Sequence, residues 1–146
     1  MALIVDYLRE NRRVSTIALW GRSMGAVTAL LHADRDPSIG AIICDSPFSD
    51  LKKLVDELAY RYTKLPSFLV SPALKLVSST IKSKAHFDIY KLSPIKHVKN
   101  SFIPALFATG MQDDFIHPHH SKDLHEAYKG DKNLITFEGD HNTHRP

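Results

Sequence analysis

Five residues near the start of the chain, Gly21-Arg22-Ser23-Met24-Gly25, restrict its fold more than any global property does. They read G-x-S-x-G and stand between two segments of different periodicity. Before them, Val14 to Trp20 is a short β-branched and apolar run that predicts a strand. After them, AVTALLHA predicts an apolar helix, closed by the turn-like DRDPSIG. A chain that passes from strand to helix in so few residues must turn sharply. Such a turn leaves no room for bulk two residues from its centre, which accounts for Gly21 and Gly25. It pushes the Ser23 hydroxyl out at the C-terminal edge of the sheet. It also aims the Met24 N–H, at the helix start, at any negative charge developing there. The plainer reading is a βα turn that uses glycine for close packing.

The rest of the chain repeats this alternation. Leu3, Ile4, Tyr7 and Leu8 recur at helical spacing over Ala2 to Arg9. IGAIICD is a second strand, continuously apolar as expected when both faces of a sheet are covered. Ser49 is positioned to cap a helix carrying Leu51, Leu54, Val55, Leu58, Ala59 and Tyr62. Ser71-Pro72 starts another, with Ala73, Leu74, Val77 and Ile81 on its apolar side. Pro104 to Thr109 predicts a third strand, His119 to Lys129 a helix, and NLITFEG a fourth strand. Strands alternating with helices imply parallel pairing under helices, the α/β class.

Composition agrees and excludes several classes. With 146 residues, 43% hydrophobic and 24% charged, the chain has the size and make-up of one globular domain. No apolar run reaches the ~18 residues a membrane-spanning helix needs. MALIVDYLRE has neither a basic flank nor a small-residue cleavage site, so no secretory signal is read and a cytoplasmic setting is expected. The single cysteine, Cys44, excludes an internal disulfide and a thiolate zinc cluster, and its apolar setting predicts inert core packing. The net charge of +3 conceals an asymmetry: residues 51–100 hold ten Lys/Arg against three acids. These cations are interspersed with leucine and serine, without an RNA-binding motif, so nucleic acid is not expected as a partner. They read as a solvated helix face or as a contact for an anionic surface.

A serine needs a base, and the base an orienting acid. Gly110-Met111-Gln112-Asp113-Asp114-Phe115-Ile116 follows the third predicted strand, and Glu138-Gly139-Asp140-His141 the fourth. Both lie at C-terminal strand ends, the edge at which Ser23 emerges and at which open α/β sheets place their sites. Serine, acid and histidine thus occur in the chain order Ser, Asp, His on three separate strand ends.

On LWGRSMGAVTAL, DSPFSDL, DDFIHPHHS, GDKN and GDHN with the closing Arg145-Pro146, the chain resembles the α/β-hydrolases over essentially its whole length. More narrowly, it is similar to a plant and protist branch near the serine aminopeptidase-like and acyl-protein thioesterase-like hydrolases. The resemblance implies Ser23 as nucleophile, His141 as general base and the Met24 N–H as an oxyanion donor. The pattern G-x-x-D-x-x-[VI] fits Gly110, Asp113 and Ile116 and implies Asp113 as the acid, with Asp114 as the alternative and Asp45, one strand earlier, as a third choice. It implies no metal and no organic cofactor. The expected activity is hydrolysis of an acyl ester or thioester, with a small molecule or an acylated protein as substrate. A serine peptidase and a non-catalytic binding module of the same fold are the alternatives.

Against that family, the serine comes early, after the first strand rather than the fifth. The earlier half-sheet, and the H-G-x-G loop that carries a second oxyanion donor, have no counterpart in the sequence. The expected fold is therefore a truncated α/β-hydrolase: about four parallel strands, flanking helices and a helical cap-like insert over 51–100. A piece of a larger hydrolase, with low activity by itself, is expected. The strand before Ser23 would be an exposed apolar edge and a route to self-association. The basic insert suits a hydrophobic acyl chain and peripheral contact with an anionic membrane. His117, His119, His120, His125, His141 and His144 lack zinc-ligand spacing, so no metal site is expected.

Overall fold

The structure, a computed structural model, describes residues 1–64, 72, 75, 78–84, 86 and 88–145. It divides into two compact units, Met1–Phe48 with Pro94–Pro146, and Ser49–Ser93.

The first unit is built on four parallel strands in the spatial order β1-β2-β3-β4. They are β1 (Ala18–Arg22), β2 (Ala41–Asp45), β3 (Ala105–Gly110) and β4 (Lys132–Phe137). β1 begins later than the β-branched run predicted and continues to Arg22, because Gly21 and Arg22 pair with Cys44 and Asp45. Six α-helices are present among the described residues of the chain's two units. Those of the first unit are α1 (Ala2–Asn11), α2 (Met24–Arg35), the short α5 (Pro94–His97) and α6 (Pro118–Ala127).

Side chains alternate along each strand, so one face can be dry while the other is not. Leu19, Ile42, Cys44, Ala105 and Phe107 face Ala26, Ala29, Leu30 and Ala33 of α2 and Leu124 of α6, and all are buried. Val5 of α1 joins the same core. Burying one side chain such as Phe107 contributes roughly 1.5–3 kcal/mol, and Tyr128 packs edge-on against that ring at 5.6 Å. The small residues of α2 let it approach β1 and β2 closely. On the opposite face no residue of β2 is exposed, Ile43 being half-buried, but the outer strands β1 and β4 are less covered. Trp20 is 72% and Ile135 46% exposed, and with Ile43 and Leu106 they line a groove of about 200 Å³.

The second unit contains α3 (Leu51–Thr63) and a helical stretch at residues 78–84, α4. Asp50, rather than the predicted Ser49, caps α3: its side chain accepts the Lys53 N–H at 3.1 Å. Asp50 has the extended backbone of a cap, which places its carboxylate one residue closer to the orphan donors. Of the second predicted helix, Pro72, Lys75 and residues 78–84 are helical, whereas Ser71, Ala73, Leu74 and Val77 lie outside the described residues. The expected insert over 51–100 overlaps this unit, while α5 packs with α2 of the first.

Candidate active site

β1 runs directly into α2 through Ser23. Its backbone, at φ 54° and ψ −119°, occupies a region that L-residues rarely enter. The strain is held by a hydrogen bond from Ser23 N–H to the Asp45 carbonyl at 2.8 Å and by the start of α2, where Val27 N–H reaches Ser23 O. Gly21 is required: a Cβ there would lie 2.1 Å from the Gly25 carbonyl carbon. Gly25 is not required on steric grounds, since a Cβ there meets nothing within 4 Å. The expectation that both glycines make room for the turn is corrected; the crowding lies between Gly21 and the backbone of Gly25. Met24 is the first residue of α2, so its N–H is one of the donors a helix start leaves without an intrahelical partner.

Asp113 and His141 meet at the far side of the sheet edge. Asp113 Oδ2 lies 2.7 Å from His141 Nδ1, and the carboxylate is wholly buried. A carboxylate has no proton to donate, so Nδ1 carries the hydrogen and Nε2 of the neutral ring is left as the acceptor. Asp113 Oδ1 accepts Ile116 N–H at 2.8 Å and Phe115 N–H at 3.1 Å. Both oxygens are thus committed, which fixes the carboxylate plane. The Phe115 ring leans on the imidazole at 5.2 Å. Asp114 is exposed, and Asp45 is occupied by Arg145. Ser23 is half-buried, and its Oγ makes no hydrogen bond to the imidazole among the described residues.

Several residues that the sequence reading left without a role build the histidine loop. Gln112 accepts Gly139 N–H through its side-chain oxygen and donates to Glu138 Oε2 at 2.7 Å. Its own N–H reaches Gly139 O at 3.0 Å, tying the acid loop to the histidine loop. Gly139 turns at φ +128°, a conformation that favours glycine. Asp140 Oδ1 accepts the N–H groups of Asn142 and Thr143, at 2.7 and 2.9 Å. The Asn142 N–H above all, with the Thr143 hydroxyl, holds the Asp140 carboxyl below the usual carboxylate range. The D-H-N-T run was the available signal, since Asp followed by polar residues predicts such a turn.

The sequence profile described as serine hydrolase (FSH1) matches residues 1–143. YqkD of Bacillus subtilis (strain 168), an uncharacterized protein, is 34% identical over 139 residues, 91% of this chain and 43% of that protein. The chain therefore spans less than half the length of that relative. The Pyrococcus furiosus esterase Pf2001 superposes with a TM-score of 0.70 at 20% identity, over 94% of this chain and 51% of its own. Acetyl xylan esterase 1 from Thermoanaerobacterium sp. gives 0.71 at 14% identity, over 99% and 46%. The acylaminoacyl peptidase of Pyrococcus horikoshii gives 0.66 at 16% identity, over 95% and 22%. Four parallel strands with flanking helices are thus arranged here as in α/β-hydrolase esterases and peptidases. Among the described residues, no helix is long and apolar enough to cross a membrane.

Proposed function

Because the chain belongs to the serine hydrolase (FSH1) family, we propose that Ser23, Asp113 and His141 act together as its catalytic triad on an acyl ester or thioester. The observation that carries this reading is the buried Asp113 carboxylate, 2.7 Å from His141 Nδ1 at the sheet edge from which Ser23 emerges. His141 Nε2 takes the proton from Ser23 Oγ as that oxygen attacks the acyl carbon. The resulting oxyanion is met by the Met24 N–H, and Asp113 stabilises the imidazolium without taking its proton. Collapse of the intermediate breaks the bond to the alcohol or thiol, which leaves with the proton from His141. Water, deprotonated by the same imidazole, then attacks the acyl-enzyme and releases the acid. Removing one donor from an oxyanion hole typically lowers kcat by roughly 100- to 1,000-fold. With the Met24 N–H as the one donor identified among the described residues, the expected outcome is slow turnover by this chain.

A hydrophobic acyl group is the proposed substrate class, with contact to an anionic surface through the basic segment. Amides are cleaved by the same steps, so a parallel set of ester, thioester and peptide substrates separates the leaving groups. Acyl-enzyme capture tests the chemistry itself. Rapid acid quench of a p-nitrophenyl butyrate reaction, followed by peptide mass analysis, is expected to show a butyryl group on the Ser23 peptide. The adduct should be absent in Ser23→Ala and reduced by more than 100-fold in His141→Ala. A butyryl group elsewhere, or ester hydrolysis undiminished in Ser23→Ala, rejects the assignment. A folded protein that never acylates favours the non-catalytic module.

A further inference from the structure

Arg145 and Asp45 are 100 residues apart in sequence and form a bidentate ion pair. Nε donates to Asp45 Oδ2 at 2.7 Å and a terminal guanidinium nitrogen to Oδ1 at 2.8 Å. The same guanidinium donates to the carbonyls of Thr143 at 2.6 Å and His141 at 3.2 Å, and it lies 4.5 Å over the Phe137 ring. Asp45 is 3% exposed, so this carboxylate is compensated by design of its surroundings rather than by water. Its backbone carbonyl, meanwhile, accepts the Ser23 N–H. One residue at the end of β2 therefore grips the serine turn through its main chain and the histidine loop through its side chain.

The sheet order explains why such a grip is needed. His141 follows β4 and Ser23 follows β1, three strand spacings away, or about 14 Å at roughly 4.8 Å each. Asp113 holds the imidazole from the β3 side, but it exerts no pull on the loop backbone toward β1. Arg145 reaches back from beyond β4 to the end of β2, two spacings nearer the serine, and seizes the carbonyl of His141 itself. We propose that Arg145 and Asp45 form a positioning pair that draws the histidine loop across the sheet edge and sets the imidazole's place relative to Ser23. Neither touches the reacting atoms; both act through His141 and the Ser23 backbone. The inference rests on the triad reading above. Lysine cannot replace Arg145, because a single ammonium cannot span both carboxylate oxygens and two carbonyls in one plane. Arg22 is no substitute: it lies 3.7 Å from Asp45 Oδ2 in a single contact, with its side chain 40% exposed.

Two readouts in the intact chain test this: the His141 Nδ1 proton by nitrogen-15 NMR, and the rate of Ser23 labelling by a fluorophosphonate. Arg145→Gln and Asp45→Asn should each shift or broaden the His141 signal and slow labelling by about 10- to 100-fold. The double variant should be no worse than either single one. Arg145→Lys should recover the Tm but not the labelling rate, and Arg9→Ala, which breaks an ion pair away from the site, should change neither readout. Parent-like signals and rates in Arg145→Gln overturn the proposal. So does a loss that follows the Tm and is fully restored by Arg145→Lys. If the parent chain shows the His141 signal but never labels, the catalytic reading fails, and the signal in Arg145→Gln still decides the positioning role. A parent chain with no Asp113-paired signal overturns both.

Discussion

Gly21 and Gly25 occupy symmetric places in G-x-S-x-G, yet only one is sterically bound. A methyl group at Gly21 collides with backbone that cannot move without opening the serine turn, whereas one at Gly25 enters open space inside α2. Gly21→Ala should therefore lose about 3 kcal/mol or more, at the upper end of overpacking costs. Gly25→Ala should be neutral or up to about 1 kcal/mol stabilising, since alanine favours a helix over glycine. Urea denaturation of the two variants checks this, and equal losses would contradict the geometry. The residues that support the candidate site were harder to see than those of the proposed triad. Ser23, Asp113 and His141 carry chemistry in their side-chain types and stand at strand ends, so order and position made them candidates. Asp45 entered the sequence reading only as a third choice for the acid, and Arg145 only as part of a matching block. Their meaning is a contact across 100 residues, which no local pattern encodes.

At the scale of elements, periodicity located the four strands seen among the described residues, and its strand errors fell at the boundaries. β1 was predicted over Val14 to Trp20 and lies at Ala18–Arg22, because pairing with β2 overrides local β propensity in residues such as Val14. The N-cap of α3 was misplaced by one residue because Ser49 and Asp50 are both good caps, and only the backbone angle chooses between them. α1 is joined to the end of α2 by polar contacts that no periodicity shows. Arg9 donates to Asp36 at 3.0 Å, and the Ser38 hydroxyl donates to Asp36 at 2.6 Å. The Ser38 hydroxyl first, then Arg9, lowers the Asp36 carboxyl from 3.8 to about 2. A carboxyl with a depressed pKa in the folded state stabilises fully above its unfolded value, near 4, and loses that contribution as pH falls toward 2. Hydrogen-exchange protection of α1 should accordingly weaken between pH 4 and 2, more in the parent than in Ser38→Ala. The effect is small because the pair faces solvent. Identical pH dependence in the two proteins would contradict it.

Across the whole molecule, the sheet divides labour between its faces and its edge. One face supplies the core, with Cys44 buried so deeply that desolvation pushes its thiol up and removes it from thiol chemistry. The C-terminal edge collects the polar groups: Ser23 after β1, Asp45 closing β2, Asp113 after β3 and His141 after β4. Parallel pairing brings all four to that edge, so the topology assembles the site before any side-chain contact is considered. The α/β class and this edge were legible from the alternation of strand and helix. The exposure of Trp20 and Ile135 on the opposite face was not, since an apolar strand reads alike whether one face or both are covered. The central claim is that Asp113 and His141 activate Ser23. Its most direct test is fluorophosphonate labelling of the intact chain with the modified residue mapped by peptide mass. The account predicts a single adduct on Ser23, lost in Ser23→Ala and His141→Ala and slowed by at least 100-fold in Asp113→Asn. Labelling at another residue, or on Ser23 at an unchanged rate in Asp113→Asn and His141→Ala, would contradict it.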